Sequence, residues 1–459
     1  MKRLLFVCAL TLGVLAILAA PALASAKTIV VAPSNDASGA KDTLHLQQAF
    51  TAAGAGGTVQ LTAGHFTIND ILVTGFKGTF KGAGQGKTVI GCPDGGVSLE
   101  NGLDFTYLLG LQGGAITVSD MSFDITSPAP AAPWGPTDIF SGSDLTFIET
   151  VLYLNGQSCA VVDRVSFTGY ANDDTGPDGY NADESVIAQD AHAFAMYGCT
   201  CATYEGLYVG NTSDARVTIG GTCGGNVFDN AGPGCALIDC GNSQATVCDN
   251  RFISGGGSSE LFSDGVYVGQ DPGTSASHFL INGNAWQVLP PADALDLLDG
   301  AWSPGSSGAI DAVVSNNTFA LEGSLSLLPW TDANGIGEYD TQNAQVLANR
   351  FTGQGTAAVC VGTWLDNSDT PGCTNGWRII GNDVRHMIPL PQSNNEAPGA
   401  PIWLGPGSAH CLVVGGPPPT YVFNAGTDNT LINATQVPDP SGAAAAPDKL
   451  TALKEMKRF

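Results

Sequence analysis

From about Val59 to Thr435 the chain reads as short apolar/polar alternations, broken every few residues by Gly, Asn, Asp or Pro. Val59 and Leu61 alternate with Gln60 and Thr62, and Phe66 and Ile68 with Thr67 and Asn69. A period of two is that of a strand buried on one face. Ahead of it, Leu46, Ala49, Phe50 and Ala53 fall at i, i+3, i+4 and i+7. That spacing predicts a short helix over about Thr43–Ala53, capped by Asp42 and stopped at Gly54-Ala55-Gly56-Gly57. A longer rhythm overlies the alternation: Asn226/Phe228, Asn250/Phe252, Asn284/Trp286, Asn317/Phe319, Asn349/Phe351 and Asn382/Val384, at spacings of 24, 34, 33, 32 and 33 residues. Most are preceded by an apolar run such as Leu280-Ile281, Val313-Val314, Val346-Leu347 or Ile379-Ile380. Such a period marks a solenoid, in which each unit buries its apolar face only against its neighbours.

Helical repeats share this unit length, but the units here are studded with Gly and β-branched residues that weaken helices. A β-solenoid fits. The aromatic of each Asn-x-aromatic pair then points inward and stacks on its counterpart one coil away. The Asn is expected at a tight corner, bonding to backbone, tolerating unusual dihedrals and pairing with the next Asn along the axis. Val118–Phe123 and Val162–Phe167 are expected to be the same corner with Asp replacing Asn.

Three stretches carry a family likeness: Leu46-Gln47-Gln48-Ala49-Phe50, the run Gly56-Gly57-Thr58-Val59-Gln60-Leu61-Thr62-Ala63-Gly64, and Gly82-Ala83-Gly84. Over Asp42–Ile90 the chain resembles secreted right-handed parallel β-helix proteins of the pectate-lyase-like superfamily. The resemblance implies an all-β, single-stranded right-handed parallel β-helix over 27–435. It also implies that the helix covers the open end of the coil and that Gly-Gly-Thr-Val opens the first strand. Residues 436–459 are then a linker and tail, where Leu450, Leu453 and Met456 have the spacing of a closing helix.

Composition places this solenoid outside the cytoplasm. Lys2-Arg3, the apolar stretch Leu4–Ala20 and Ala24-Ser25-Ala26 form an export leader over 1–26. Removing it takes the formal charge from −25 to −27, and charged residues make up only 13% of the chain. That surface argues against nucleic acid or an anionic membrane as partner. No later segment has the ~18 apolar residues needed for a membrane span. Eleven cysteines follow the leader, and in an oxidising compartment disulfides are expected, Cys360 with Cys373 or partners within Cys223–Cys248 being nearest. Cys199-Thr200-Cys201 lacks the spacing of a zinc site.

Candidate chemistry lies off the repeats. Asp173, Asp174, Asp178, Asp183, Glu184 and Asp190 crowd a stretch without Lys or Arg, a composition suited to calcium although the EF-hand register fails. Asp174 doubles as a candidate catalytic carboxylate. His192 follows closely and is read as structural. Ser263-Asp264-Gly265-Val266-Tyr267-Val268 resembles one element of polygalacturonase-type glycoside hydrolases, which work with paired carboxylates. The Asp-Asp pair expected about twenty residues on is missing, as are the Gly-His-Gly and Arg-Ile-Lys elements. Arg216 is the candidate base or carboxylate partner for a lyase, whereas Arg251 and Arg350, each beside a stacked Phe, suit a corner role. Gly82–Thr88 departs from a phosphate-binding loop, because Lys81 replaces its first Gly, and reads as a turn.

Two classes of function follow. One is a polysaccharide-processing enzyme, a lyase before a hydrolase, acting along a solenoid face with calcium as the possible cofactor. The other is a noncatalytic extracellular scaffold, adhesin or sugar-binding protein. The first rests on analogy of fold.

Overall fold

The computed structural model describes residues 26–93, 107–125, 150–169, 184–203, 205–210, 215–230, 236–239, 244–254, 264–270, 277–288, 293–299, 310–322, 334–339, 342–361, 374–390 and 400–438. Every strand pairing among them is parallel and joins a residue to its counterpart one coil later. Val217, for example, pairs with Ala245, Ala245 with Phe279, and Phe279 with Ala312. Three ladders result. The first sheet runs from Thr28–Val31 to Thr430–Ile432, the second from Gly64–Thr67 to Asp383–Pro389, and the third from Ile71–Thr74 to Thr435–Val437. Each coil passes from the third sheet to the first, turns a tight corner into the second, and returns to the third by a connection of variable length. Tyr107–Asp124 and Thr150–Thr168 run through all three sheets unbroken. The architecture is a parallel β-helix, with the right-handed sense that parallel crossovers adopt.

Helix α1 (Ala40–Ala53) starts three residues before the expected point, because its N-cap is Gly39, left-handed at φ 76°. Asp42 is therefore no cap. It is buried in the first turn, and its carboxylate accepts from the backbone N–H of Ser34 (2.7 Å) and Thr67 (3.1 Å), tying the helix to the first coil. Leu46, Ala49, Phe50 and Ala53 are buried as the spacing predicts. The Phe50 ring meets Phe76 edge-on at 5.0 Å, so α1 covers the amino-terminal end of the core.

Inside the second sheet the aromatics stack as expected. Phe228, Phe252, Trp286, Phe319 and Phe351 follow one another with centroids 4.6–5.0 Å apart and rings within 20° of parallel. Cys201 bridges this column to Phe167 and Phe123, themselves stacked at 5.4 Å.

The asparagines form a continuous buried ladder. In each interior Asn, Oδ1 accepts both the backbone N–H and an Nδ2–H of the preceding Asn. Its Nδ2 donates to the next Oδ1 and to a backbone carbonyl one coil back. For Asn317 these bonds run from Asn284 N (2.8 Å) and Nδ2 (3.1 Å), and to Asn349 Oδ1 (2.9 Å) and Ile281 O (3.0 Å). Every side-chain donor and acceptor is thus used, which is what a buried amide requires.

Two details differ from expectation. From Asn250 onward the unusual dihedral belongs to the residue before each Asn, left-handed at Asp249, Gly283, Asn316, Ala348 and Gly381. Asp120 and Arg164 take that left-handed position in the earlier coils, so the residues aligned with Asn are Met121, Val165 and Cys199, not Asp. Arg164 instead grips Asp120 in a two-pronged ion pair (2.8 and 3.1 Å) that holds this carboxyl below its ordinary range.

Cys199 closes the ladder by standing in for an amide. Its sulfur accepts the Val165 N–H (3.4 Å) and its thiol faces Val162 O (3.6 Å) and Tyr197 O (3.2 Å), while its own N–H goes to Asn226 Oδ1. Burial pushes this thiol up to about 12, so it keeps the proton that the role needs. Cys159, Cys199, Cys223 and Cys248 are free thiols, so the bridging expected at Cys223 and Cys248 is not present among the described residues; Cys235, Cys240 and Cys373, the other members of the expected bridges, lie outside them.

Candidate functional site

Of the acidic stretch, Asp173, Asp174, Asp178 and Asp183 lie outside the described residues. Glu184 opens the third-sheet strand Glu184–Gln189 and pairs in register with Glu205. Asp264 opens Asp264–Gln270, pairing with Asp293, and three residues on Tyr267 pairs with Asp296. The strands that carry Asp264 and Asp293 are neighbours on successive coils, with backbones about 4.8 Å apart. The described third-sheet segments carry no Lys, Arg or His. Among the described residues, no group of three or more His, Cys, Asp or Glu is arranged to hold a metal ion.

Arg216 stands elsewhere, on the outer face of the first sheet, and it is not alone there. It pairs with Gln244, Gln244 with His278, and His278 with Asp311, on four successive coils. All four are exposed. Each lies at the start of its strand (Arg216–Gly220, Gln244–Cys248, Ser277–Asn282, Ile310–Ser315), where inward neighbours such as Val217, Ala245, Phe279 and Ala312 pin the backbone in the core.

His278 Nδ1 lies 3.1 Å from Asp311 Oδ2. An ionised carboxylate only accepts, so in a hydrogen bond between the two the imidazole donates through Nδ1–H. The side chains of the pair are 60% and 52% exposed. Arg216 makes no ion pair with a described residue. It stands two strand spacings, about 10 Å, from His278. One anionic group bound between them can touch both.

The remaining candidates lie away from this row. Arg251 and Arg350 follow ladder asparagines on the second sheet, and their backbone N–H groups bond to Asn226 O (2.9 Å) and Asn317 O (2.8 Å). His192 sits exposed at a corner, its N–H donating to Gln157 O (2.9 Å). Gly82–Thr88 is a turn closed by Thr88, whose hydroxyl donates to Thr62 O and accepts from Ala83 N, both at 2.8 Å.

Sequence reasoning missed Gln244, His278, Asp311, Glu205 and Asp293. A signal for the first three existed: each stands six residues before a ladder Asn. Arg216 is ten before Asn226, because the turn at Gly221–Gly225 is inserted after its strand.

No family model matches the chain, and no curated protein resembles it in sequence. The likenesses are to solved structures. The A-module of mannuronan C-5 epimerase AlgE6 from Azotobacter vinelandii is 13% identical, with 86% of this chain and 95% of that one covered and a TM-score of 0.35. DFA-IIIase from Arthrobacter chlorophenolicus A6 is 12% identical over 96% and 87%, at 0.44. The surface adhesin PfbA of Streptococcus pneumoniae is 10% identical over 86% and 87%, at 0.45. These are likenesses in fold. They carry nothing about activity.

Proposed function

We propose that this is an exported β-helix protein that binds an acidic polysaccharide along the outer face of its first sheet and cleaves it by elimination. The row Arg216–Gln244–His278–Asp311 carries the reading. Elimination requires a base at the proton beside a carboxylate and a cation that absorbs the charge developing there. His278 Nε2 is the base, oriented by Asp311 through Nδ1. Arg216 binds the sugar carboxylate, and Gln244, between them, bonds to ring hydroxyls. The chain's net charge of −25 opposes a polyanion only weakly, because charges beyond ~8 Å are screened at physiological salt. Calcium bound by the Asp173–Glu184 stretch remains part of the proposal as an accessory cation.

The test is to incubate purified protein with polyuronates and neutral polysaccharides, with and without calcium. Unsaturated ends absorbing in the ultraviolet, lost in His278→Ala, support elimination. One observation favours a second reading, a glycoside hydrolase: the register pairing of Asp264 with Asp293. That reading predicts reducing ends without unsaturation, lost in Asp264→Asn and Asp293→Asn. Binding without products rejects both enzymes in favour of a sugar-binding scaffold.

A further inference from the structure

The outer face of the first sheet changes character just beyond the His278–Asp311 pair. Leu280 lies two residues past His278 on the same strand, and Val313 two past Asp311; they are direct register partners. Val313 itself pairs with Gln345, so the apolar line then shifts two residues along the strand, to Leu347 beside Ser315, and from there continues in register through Ile380, Val414 and Ile432. All six point out of the core, Leu280 being 42% and Ile432 45% exposed and the rest half-buried. A soluble protein seldom leaves so long an apolar line uncovered unless something binds it. The line spans six coils, about 24 Å at the spacing of parallel strands.

Three features identify the occupant. The line begins on the two strands that carry the polar pair, so a polymer seated at one continues onto the other. Its repeat is the strand spacing, about 4.8 Å, close to the rise of one pyranose ring in an extended chain, so successive coils meet successive sugars. Finally, the charges suit a polyanion. The strands Gln345–Leu347, Arg378–Ile380, Leu412–Val414 and Thr430–Ile432 carry no acid and one cation, exposed Arg378, in a chain with 42 acidic and 17 basic residues. Aliphatic side chains contact the C–H faces of the rings, while Arg216 and Arg378 hold carboxylates at separate points along the polymer.

We infer that this line is an extended run of sugar subsites, which makes the protein a reader of long acidic polysaccharide rather than of short fragments. The inference rests on the proposed function, and one titration separates the two. The full chain is titrated calorimetrically with galacturonate and mannuronate oligomers of increasing length. Affinity is expected to rise about tenfold or more from dimer to octamer, given the apolar area newly covered. Leu347→Thr and Ile380→Thr place a β-branched, strand-compatible side chain at each position and so preserve the fold, which a thermal melt verifies. They are expected to flatten the length dependence while leaving dimer binding unchanged. Length-independent affinity in the parent protein overturns this inference and leaves the function standing; no binding at any length overturns both. Dimerisation of the parent protein in light scattering, abolished by Ile380→Thr, also overturns it, since the line is then a contact between two copies of the chain.

Discussion

Replacing Asn317 by Ala tests whether the asparagine ladder holds the coil together. The side chain is 1% exposed and makes four hydrogen bonds, two accepted from Asn284 and two donated, to Ile281 O and Asn349 Oδ1. At about 1 kcal/mol net per bond, the loss is about 4 kcal/mol, large for one substitution. Asn382 ends the ladder with three such bonds, so Asn382→Ala should cost about 3 kcal/mol. Guanidinium melts give both values from the shift in midpoint at constant slope. Asn317→Asp separates geometry from donation: the carboxylate still accepts from Asn284 but confronts Ile281 O and Asn349 Oδ1 with a second acceptor. It should be worse than Ala at neutral pH. It should recover in acid, because a carboxyl that gains a donated bond when protonated holds its proton more tightly folded than unfolded. The reasoning fails if Asn317→Ala costs no more than Thr318→Ala, an exposed neighbour that opens the following strand.

Other outcomes follow from the same geometry. Asp311→Asn should lower kcat more than it raises KM, and Arg216→Ala should do the reverse, since one orients the base and the other holds the carboxylate. Cys159 and Cys223 are exposed and should alkylate in the native protein, whereas Cys199 should react only after unfolding. Because the Cys199 thiol ionises near 9 when unfolded and only near 12 when folded, its stabilisation is complete below pH 9 and falls as pH rises toward 12. Cys199→Ser should lack that part of the alkaline decline in melts across this range. Asp383, held down to about 2 by Arg385, works in the opposite sense: its ion pair stabilises above the ordinary carboxyl range and is lost as pH falls through about 2. Any difference in melting temperature between the parent protein and Asp383→Asn should therefore vanish in strong acid. Trp286 carries a buried indole N–H with no acceptor, so Trp286→Phe should cost less than the ~1 kcal/mol expected of a well-packed core change.

The coil was legible because its physics repeats. An Asn that must satisfy four bonds and an aromatic that must meet its copy one coil away each recur at a fixed offset, and a fixed offset survives in a linear sequence. Where an element occurs once, the reading slipped. Asp42 looked like a cap because Asp favours that position, yet its two backbone bonds run to Ser34 and Thr67, and Gly39 had already turned the chain. Asp120 looked like a ladder residue because Asp resembles Asn, although only an amide both accepts and donates along the stack, and a thiol imitates this better than a carboxylate.

The candidate site was harder to see for a reason intrinsic to solenoids. Chemistry assembled across coils joins residues 28–34 positions apart, each unremarkable in its own segment. His278 reads as a lone histidine until register sets Asp311 beside it, and Asp264 as a lone carboxylate until register brings Asp293. The repeat needed to find them was already in hand, since Gln244, His278 and Asp311 keep one distance from their asparagines. A ladder residue is constrained to stay Asn, whereas the outward position six residues earlier is free to change from coil to coil. Variation at that position, against the constancy of the Asn, is therefore where a β-helix can place side chains that differ in charge and proton affinity. The row Arg, Gln, His, Asp uses that freedom on four consecutive coils.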